Sequence, residues 1–396
     1  MMRVLSVAVA AVAAVVAGRA AVLVPVDPAA AATTLTAPSG VKVTPGVGQM
    51  TVSWNPVNAA GVTYSVVSNP AGKTCSVSTT SCVVTSTAST SFSFTVSAAA
   101  PGFNTSPPST ATAPLNPRLV LVVAGQSNAN GYESYATDPV TKINYMAPPY
   151  ANGADSHDQI TWLPWSELPG KGVSPAPLDS PQQIGSGSSL LTIFGPELGL
   201  ARQLWADTGR TVTIVKGAYT ATSLHLNWSP KKTGTPPNGL YGALVARVKA
   251  VMATDAAAGQ FDVLGGIYWY QGESDATTPG WARKYQTHLT SFVDALRADL
   301  PISPTAPVVL AEEDITRYID YVASTTHLSP KMYNSFIVGN AEVRAADVAV
   351  AASLPDVRVV DTVTLPRVAP ESVHVSNVGQ LTLGDQMAKV SETLLP

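Results

Sequence analysis

Five short apolar runs alternate with longer stretches of helical period across the last two thirds of this 396-residue chain: Leu119 to Ala124, Thr211 to Lys216, Val263 to Tyr270, Pro307 to Glu312 and Val357 to Asp361. Continuous apolar runs of this length suit strands buried on both faces, and the intervening lengths suit crossover helices. The spacing predicts an α/β fold around a five-stranded parallel sheet. Three helices are legible beside the runs. Leu198, Ala201, Leu204 and Trp205 share one face of a helix from Pro196 to Ala206, with proline at its start and Gly209 past its end. Tyr285, Leu289, Phe292, Val293 and Leu296 form a stripe within Trp281 to Leu300, and a last helix runs from Asn377 to Leu395.

From Leu35 to Pro114 the text is rich in Thr, Ser, Val and Pro, with period-two alternation at Met50 to Trp54 and Phe92 to Val96. Such alternation predicts a small antiparallel β-sandwich with Trp54 in its core. The segment resembles a fibronectin type III domain in Val52-Ser53-Trp54-Asn55-Pro56, Tyr64, the Phe92 to Val96 strand, Gly102 and Ser106 to Ser109. The resemblance implies a spacer or adhesion module, with glycan or a cell-wall surface as its expected contact. Cys75 and Cys82 lie here and are expected to form a disulfide staple, since two cysteines do not make a four-ligand zinc site. Leu115-Asn116-Pro117-Arg118 reads as a linker, and the second domain begins at Leu119 and runs to Pro396.

The chain opens with Met1-Met2-Arg3, an apolar run from Val4 to Ala17, Gly18-Arg19, and small residues Ala30 to Ala32. This pattern reads as a secretory signal peptide over residues 1–32, so the expected destination is extracellular. Arg19 cuts the apolar run short of the roughly 20 residues a spanning helix needs, so stable membrane insertion is not expected. Charged residues make up 12% of the chain and the net charge is −3, which leaves no basic face for nucleic acid and favours a neutral partner such as carbohydrate.

In an open α/β sheet, ligands bind beyond the carboxyl ends of the strands. After the first run comes Gly125-Gln126-Ser127-Asn128-Ala129-Asn130-Gly131, where a serine stands on a turn. Serine needs a neighbouring base to act as a nucleophile. His374, in Pro370-Glu371-Ser372-Val373-His374, follows the fifth run and precedes the last helix, which brings it to the same rim. Glu371, three residues earlier, is the expected acid for one imidazole nitrogen, with Asp361 as the alternative. Ala129 stands where Gly-x-Ser-x-Gly would need a second glycine, so the nucleophile elbow of α/β-hydrolases is a poor match.

Four ordered blocks carry a resemblance to the SGNH-hydrolase superfamily, in particular sialate O-acetylesterases and the acetylxylan esterases of carbohydrate esterase family six. They are Gly125-Gln126-Ser127-Asn128, Gly195-Pro196-Glu197, Tyr270-Gln271-Gly272-Glu273-Ser274-Asp275, and His374 with Gly379 and Gly384. The resemblance implies a flavodoxin-like three-layer sandwich and an acyl-serine mechanism on O-acetylated carbohydrate, with no metal or organic cofactor. It gives Ser127 the attack, His374 the proton transfers, and Gln271, Ala221, Thr220, Gln126, Asn128 and Glu273 the oxyanion and the substrate. Gln271 is the favoured oxyanion donor, beside backbone amides of Ser127 and Thr220-Ala221. This chain reads Thr220-Ala221-Thr222 where the family has Gly-Gly-Thr, and Glu371-x-x-His374 where it has Asp-x-x-His.

Other residues have plainer readings. His225 is given no catalytic role, and His157, His288 and His327 read as surface residues. Glu273 and Asp275 read as support for the pocket. Trp162, Trp165 and Trp228 are candidates for stacking on sugar rings. Competing functions are a glycan-binding protein that has lost catalysis, and a general short-chain esterase or lipase, because architecture alone does not choose a substrate.

Overall fold

The computed structural model describes residues 32–162, 176–178, 182–184, 191–234, 237–301, 306–369 and 372–395. The expected signal peptide, apart from Ala32, lies outside them, as do Trp165 and Glu371. Among the described residues no helix is long and apolar enough to cross a membrane.

The N-terminal alternation builds six strands: β1 (Lys42–Gly46), β2 (Gln49–Ser53), β3 (Thr63–Asn69), β4 (Thr74–Val77), β5 (Ser81–Thr85) and β6 (Ser93–Ala99). They form two antiparallel sheets, ordered β1-β2-β5 and β4-β3-β6. Every second residue turns inward, so Met50, Val52, Tyr64, Val66, Phe94 and Val96 are buried. Trp54 joins them, its ring centroid 5.2 Å from that of Tyr64. Cys75 on β4 and Cys82 on β5 are disulfide-bonded, which ties one sheet to the other.

The expected linker is paired structure. Leu115 exchanges backbone hydrogen bonds with Phe92, and Pro117 and Arg118 already run beside Phe261 and Asp262. The second domain is built on β7 (Pro117–Gly125), β8 (Gln159–Trp162), β9 (Ala176–Pro177), β12 (Val212–Ala218), β13 (Phe261–Tyr270), β14 (Val308–Glu312) and β15 (Val357–Asp361), with a separate hairpin of β10 (Gln182–Ile184) and β11 (Leu191–Ile193). The main sheet has the order β15-β14-β13-β7-β12-β8-β9. All pairs are parallel except β8–β9. Seven strands therefore replace the five expected. The two extra strands, at the β9 end of the sheet, are short and sit in proline-bearing text that carries no continuous apolar run.

Helices cover both faces. Leu119, Leu121 and Val123 face α3 (Glu197–Thr208) and α10 (Asn377–Ser391), while Val120, Val122 and Ala124 face α4 (Leu240–Ala257), α7 (Tyr285–Asp299) and α9 (Pro330–Ser353). The three-layer arrangement follows from strands apolar on both sides. Gly199 and Gly384 let α3 and α10 pack backbone against backbone, where a Cβ would overlap main-chain atoms of the other helix. The predicted Trp281–Leu300 helix is split, with α6 (Pro279–Ala282) preceding α7. No helix was read at α4 or α9, whose many alanines and valines blur the apolar stripe.

Register aligns the strand ends that matter. Gly125 pairs with both Ala218 and Tyr270, so the loops leaving β7, β12 and β13 start at one level. Gly125 has φ 146°, and a Cβ there would overlap the Tyr270 carbonyl. Glycine is what allows the first loop to leave so close to its neighbour.

Beneath that rim, Lys216 is fully buried and pairs with Glu197 at 2.6 Å. Its Nζ also donates to Asn130 O at 2.9 Å, and Glu197 Oε1 accepts Gly195 N at 2.9 Å. Removing one partner of such a pair strands a charge. Glu197→Gln is expected to cost about 3–5 kcal/mol in a denaturant melt, and Glu197→Leu with Lys216→Met to recover most of it. A single variant as stable as the parent would remove this anchor from the account.

Candidate active site

Ser127 opens the short helix α1 (Ser127–Asn130) directly after the Gly125 turn. Gln126, Ser127, Thr220, Ala221, Glu273 and His374 line one cavity of about 250 Å³, with Ser274, Thr277, Ile315, Tyr318 and Val373 completing its wall. Serine and histidine, far apart in the chain, thus share one cleft beyond the carboxyl ends of the strands. Among the described residues no direct hydrogen bond joins them, a contact that often tightens only when substrate is bound.

His374 is fixed in its ring and in its backbone. Nδ1 lies 2.7 Å from Glu133 Oε2, and the Tyr132 ring packs at 5.0 Å between centroids. A carboxylate can only accept, so Nδ1 carries the proton and Nε2 keeps its lone pair. The partner is therefore Glu133, on the loop that carries Ser127. The expected Glu371 lies outside the described residues. Asp361 is not the partner: it accepts Val363 N and stands 3.8 Å from Arg344. One signal could have found Glu133, because it is the sole charged residue between Arg118 and Asp138.

Backbone strain marks the same place. Glu133 and Ala221 have φ of 65° and 57°, left-handed values unusual for residues with a Cβ. Strain of this kind clusters at functional sites. Ala221 thus takes, with a Cβ, a conformation that glycine adopts without strain.

Asn128 is fully buried and binds the histidine loop on both sides of His374. Its Nδ2 donates to Val373 O at 3.1 Å and its Oδ1 accepts Val375 N at 3.0 Å. Nδ2 also reaches Glu273 Oε1 at 2.9 Å and Glu313 Oε2 at 3.4 Å. Asn128 is therefore an internal tie and not a substrate contact.

Gln271 is likewise internal, against its expected place as oxyanion donor. It is fully buried, and Nε2 donates to Gln126 Oε1 at 3.1 Å, Thr222 O at 3.1 Å and Asp275 Oδ2 at 2.8 Å. Gln126 Oε1 also accepts Ser274 N, which fixes the amide and turns its Nε2 away from these donors. Gln126, and not Gln271, lies on the cavity wall.

Residues 117–392 match the carbohydrate esterase family of sialic acid-specific acetylesterases. The chain belongs to that family. Among solved structures it is similar to a protein from Arabidopsis thaliana, at 20% identity, 71% of this chain and 100% of that one, TM-score 0.49. It is also similar to a carbohydrate acetylesterase from Xanthomonas citri, at 17% identity, 90% and 75% coverage, TM-score 0.47. A third is NanS, at 17% identity, 70% and 96% coverage, TM-score 0.46. No curated protein matches the chain.

In this esterase the aromatic candidates lie elsewhere than expected. Trp228 is fully buried, donating to Thr222 Oγ1 at 2.9 Å and meeting Trp269 edge-on, and Trp162 is buried at the end of β8. Tyr318 is the half-exposed aromatic on the cavity wall. His157 and His327 are exposed as expected, but His288 is half-buried, 4.9 Å from His225, which stacks on Trp281.

Asp275 ties Gln271 to the Leu224-His225 backbone of the esterase. Oδ2 accepts Leu224 N at 2.8 Å as well as Gln271, and Oδ1 accepts His225 N at 3.1 Å. Burial raises its carboxyl to about 6, against the pull of these hydrogen bonds. Asp275→Asn would set an amide N–H against donors, an expected cost of about 1–3 kcal/mol. Because the folded value stands above the ordinary value of about 3.9, the group's contribution to stability falls as pH rises from about 4 to about 6. Melting curves across that range should show this slope in the parent and lose it in Asp275→Asn; an identical slope in both would contradict the assignment.

Proposed function

We propose that this esterase removes O-acetyl groups from carbohydrates through an acetyl-serine intermediate. The observation that carries the reading is the cavity shared by Ser127 and His374, with Nδ1 of the histidine held by Glu133. Ser127 Oγ attacks the acetyl carbonyl as His374 Nε2 takes its proton. The carbonyl π electrons move to oxygen, giving a tetrahedral oxyanion. When they return, the sugar oxygen leaves with the proton from His374. Water, deprotonated by the same nitrogen, then attacks the acetyl-serine; collapse releases acetic acid, and Ser127 regains its proton.

The oxyanion needs fixed donors. Ser127 N–H opens a helix, where the first amides have no intrahelical acceptor. Ala221 N–H, in its left-handed turn, and Gln126 Nε2 complete the set, in place of Gln271. Thr220 shapes the rim, and Tyr318 offers an aromatic face to the sugar ring. Glu133 orients the imidazole and stabilises the imidazolium, the task expected of Glu371. We assign the N-terminal sandwich, with its fibronectin type III-like pattern, to spacing or glycan attachment, and residues 1–32 to export into the extracellular space.

Acetate release from a panel of acetylated sugars tests the reading. Ser127→Ala and His374→Ala are expected to abolish release while leaving the melting profile intact, and Glu133→Gln to lower kcat by about two orders of magnitude or more, as in other triads. Gln126→Ala is expected to lower kcat about a hundredfold. Binding of acetylated glycan with no acetate released by the parent would favour a glycan-binding protein, and preference for long acyl chains a lipase.

A further inference from the structure

Two carboxyl groups and one guanidinium meet behind the nucleophile. Glu273 and Glu313 are both buried, and both accept from the single Nδ2 of Asn128. Arg367 lies 3.7 Å from Glu313 and donates to Val373 O and Asp314 O. Further titratable groups face them from every side: Tyr270 from β13, Asp314 from the same turn as Glu313, and Asp347 from α9, itself fully buried with neither carboxyl oxygen hydrogen-bonded. Arg344 pairs with Glu312 and Asp314 farther out. The arginine next to Glu313 thus has more than one acid to balance. Two buried carboxylates on one donor repel, and an unpaired buried charge is costly.

Glu273 Oε2 is buried and accepts no hydrogen bond. A proton on the pair gives that oxygen a role, because a carboxylic acid donates where a carboxylate cannot. We propose that Glu273 and Glu313 share one proton, and that Glu273, as a neutral acid holding Asn128 in place, is a positioning residue for His374. The proposal rests on the acetylesterase reading for its kinetic arm alone. Burial, and then the charge of Glu313, push the Glu273 carboxyl well up, in agreement with the geometry.

The consequence runs through Asn128. With Glu273 neutral, its Oε1 accepts one Nδ2 hydrogen while the other binds Val373 O, next to the base. Loss of the shared proton places two charges on that nitrogen's acceptors and draws Asn128 away from the histidine loop. Activity should fall on the alkaline side for this reason, while Glu133 still holds the imidazole.

The test compares full-length parent, Glu273→Gln and Glu273→Leu. Glutamine keeps a carbonyl for Asn128 and a donor for Glu313 with no proton to lose; leucine keeps neither. With an aryl acetate, Glu273→Gln is expected to retain kcat within about threefold and to lose the alkaline fall, whereas Glu273→Leu drops kcat about tenfold to a hundredfold with little change in KM. Infrared difference spectra supply a readout independent of turnover: the parent should show the C=O stretch of a neutral buried acid that Glu273→Gln removes. Thermal midpoints give another. Glu273 is protonated in the folded state above its ordinary value of about 4.3, so the parent's stability falls with rising pH relative to Glu273→Gln, and the gap should widen above that pH. A glutamine variant as impaired as the leucine variant, a fully active leucine variant, or an acid band untouched by Glu273→Gln would each overturn the proposal. Should Glu273→Leu not fold, the glutamine variant and the infrared band still decide. A parent without acetate release would sink the esterase reading and leave the spectroscopic and thermal arms standing.

Discussion

The buried amide of Asn128 is the contact on which the catalytic geometry depends. It joins the loop after β7 to the turns after β13 and β14, and to both flanks of His374. The main-chain carbonyl of Asn128 accepts Gln380 Nε2 from α10 at 2.9 Å, so the last helix is gathered in as well. A buried amide with its donors and acceptor all engaged has little freedom to move, and removing it would leave several groups unpaired at once. The histidine is therefore located by the residue that follows Ser127.

Two layers of support surround that tie. Below the rim, Lys216 and Glu197 brace the end of α1 and the Gly195 turn. Beside it, Asp275 orders the Leu224 backbone and Gln271, and Gln271 in turn sets the amide of Gln126. Asn128, Gln271 and Asp275 thus spend their polar atoms on one another's loops rather than at the cavity wall. The strained turns at Glu133 and Ala221 are where the chain bends to present an acid and an amide to that wall.

Much of this was legible in the sequence, and the reasons for the failures are physical. The five central strands are continuous apolar runs, and Ser127 and His374 sit in short polar blocks beyond their carboxyl ends, so the sheet and the cavity that these two residues share follow from pattern. The strands Gln159–Trp162 and Ala176–Pro177 are too short to stand out. Glu133 was not singled out because proximity in sequence to His374 favoured Glu371, while the fold brings the carboxylate that meets Nδ1 from the opposite end of the domain. Gln271 is expected as an oxyanion donor and is instead turned inward: a glutamine's spacing does not say whether its amide faces the cavity or three internal acceptors. Trp162 and Trp228 lie in loop-like text, yet burial claims them.

The account stands on Ser127 being the activated hydroxyl of this chain and His374 the group that activates it. Covalent labelling measures that directly. A fluorophosphonate, which traps nucleophilic serines, should modify Ser127 in the intact protein, with the adduct on the peptide that contains Gln126-Ser127-Asn128, and His374→Ala should suppress it. An adduct on a different serine, or equal labelling of Ser127 with and without the imidazole, would contradict it.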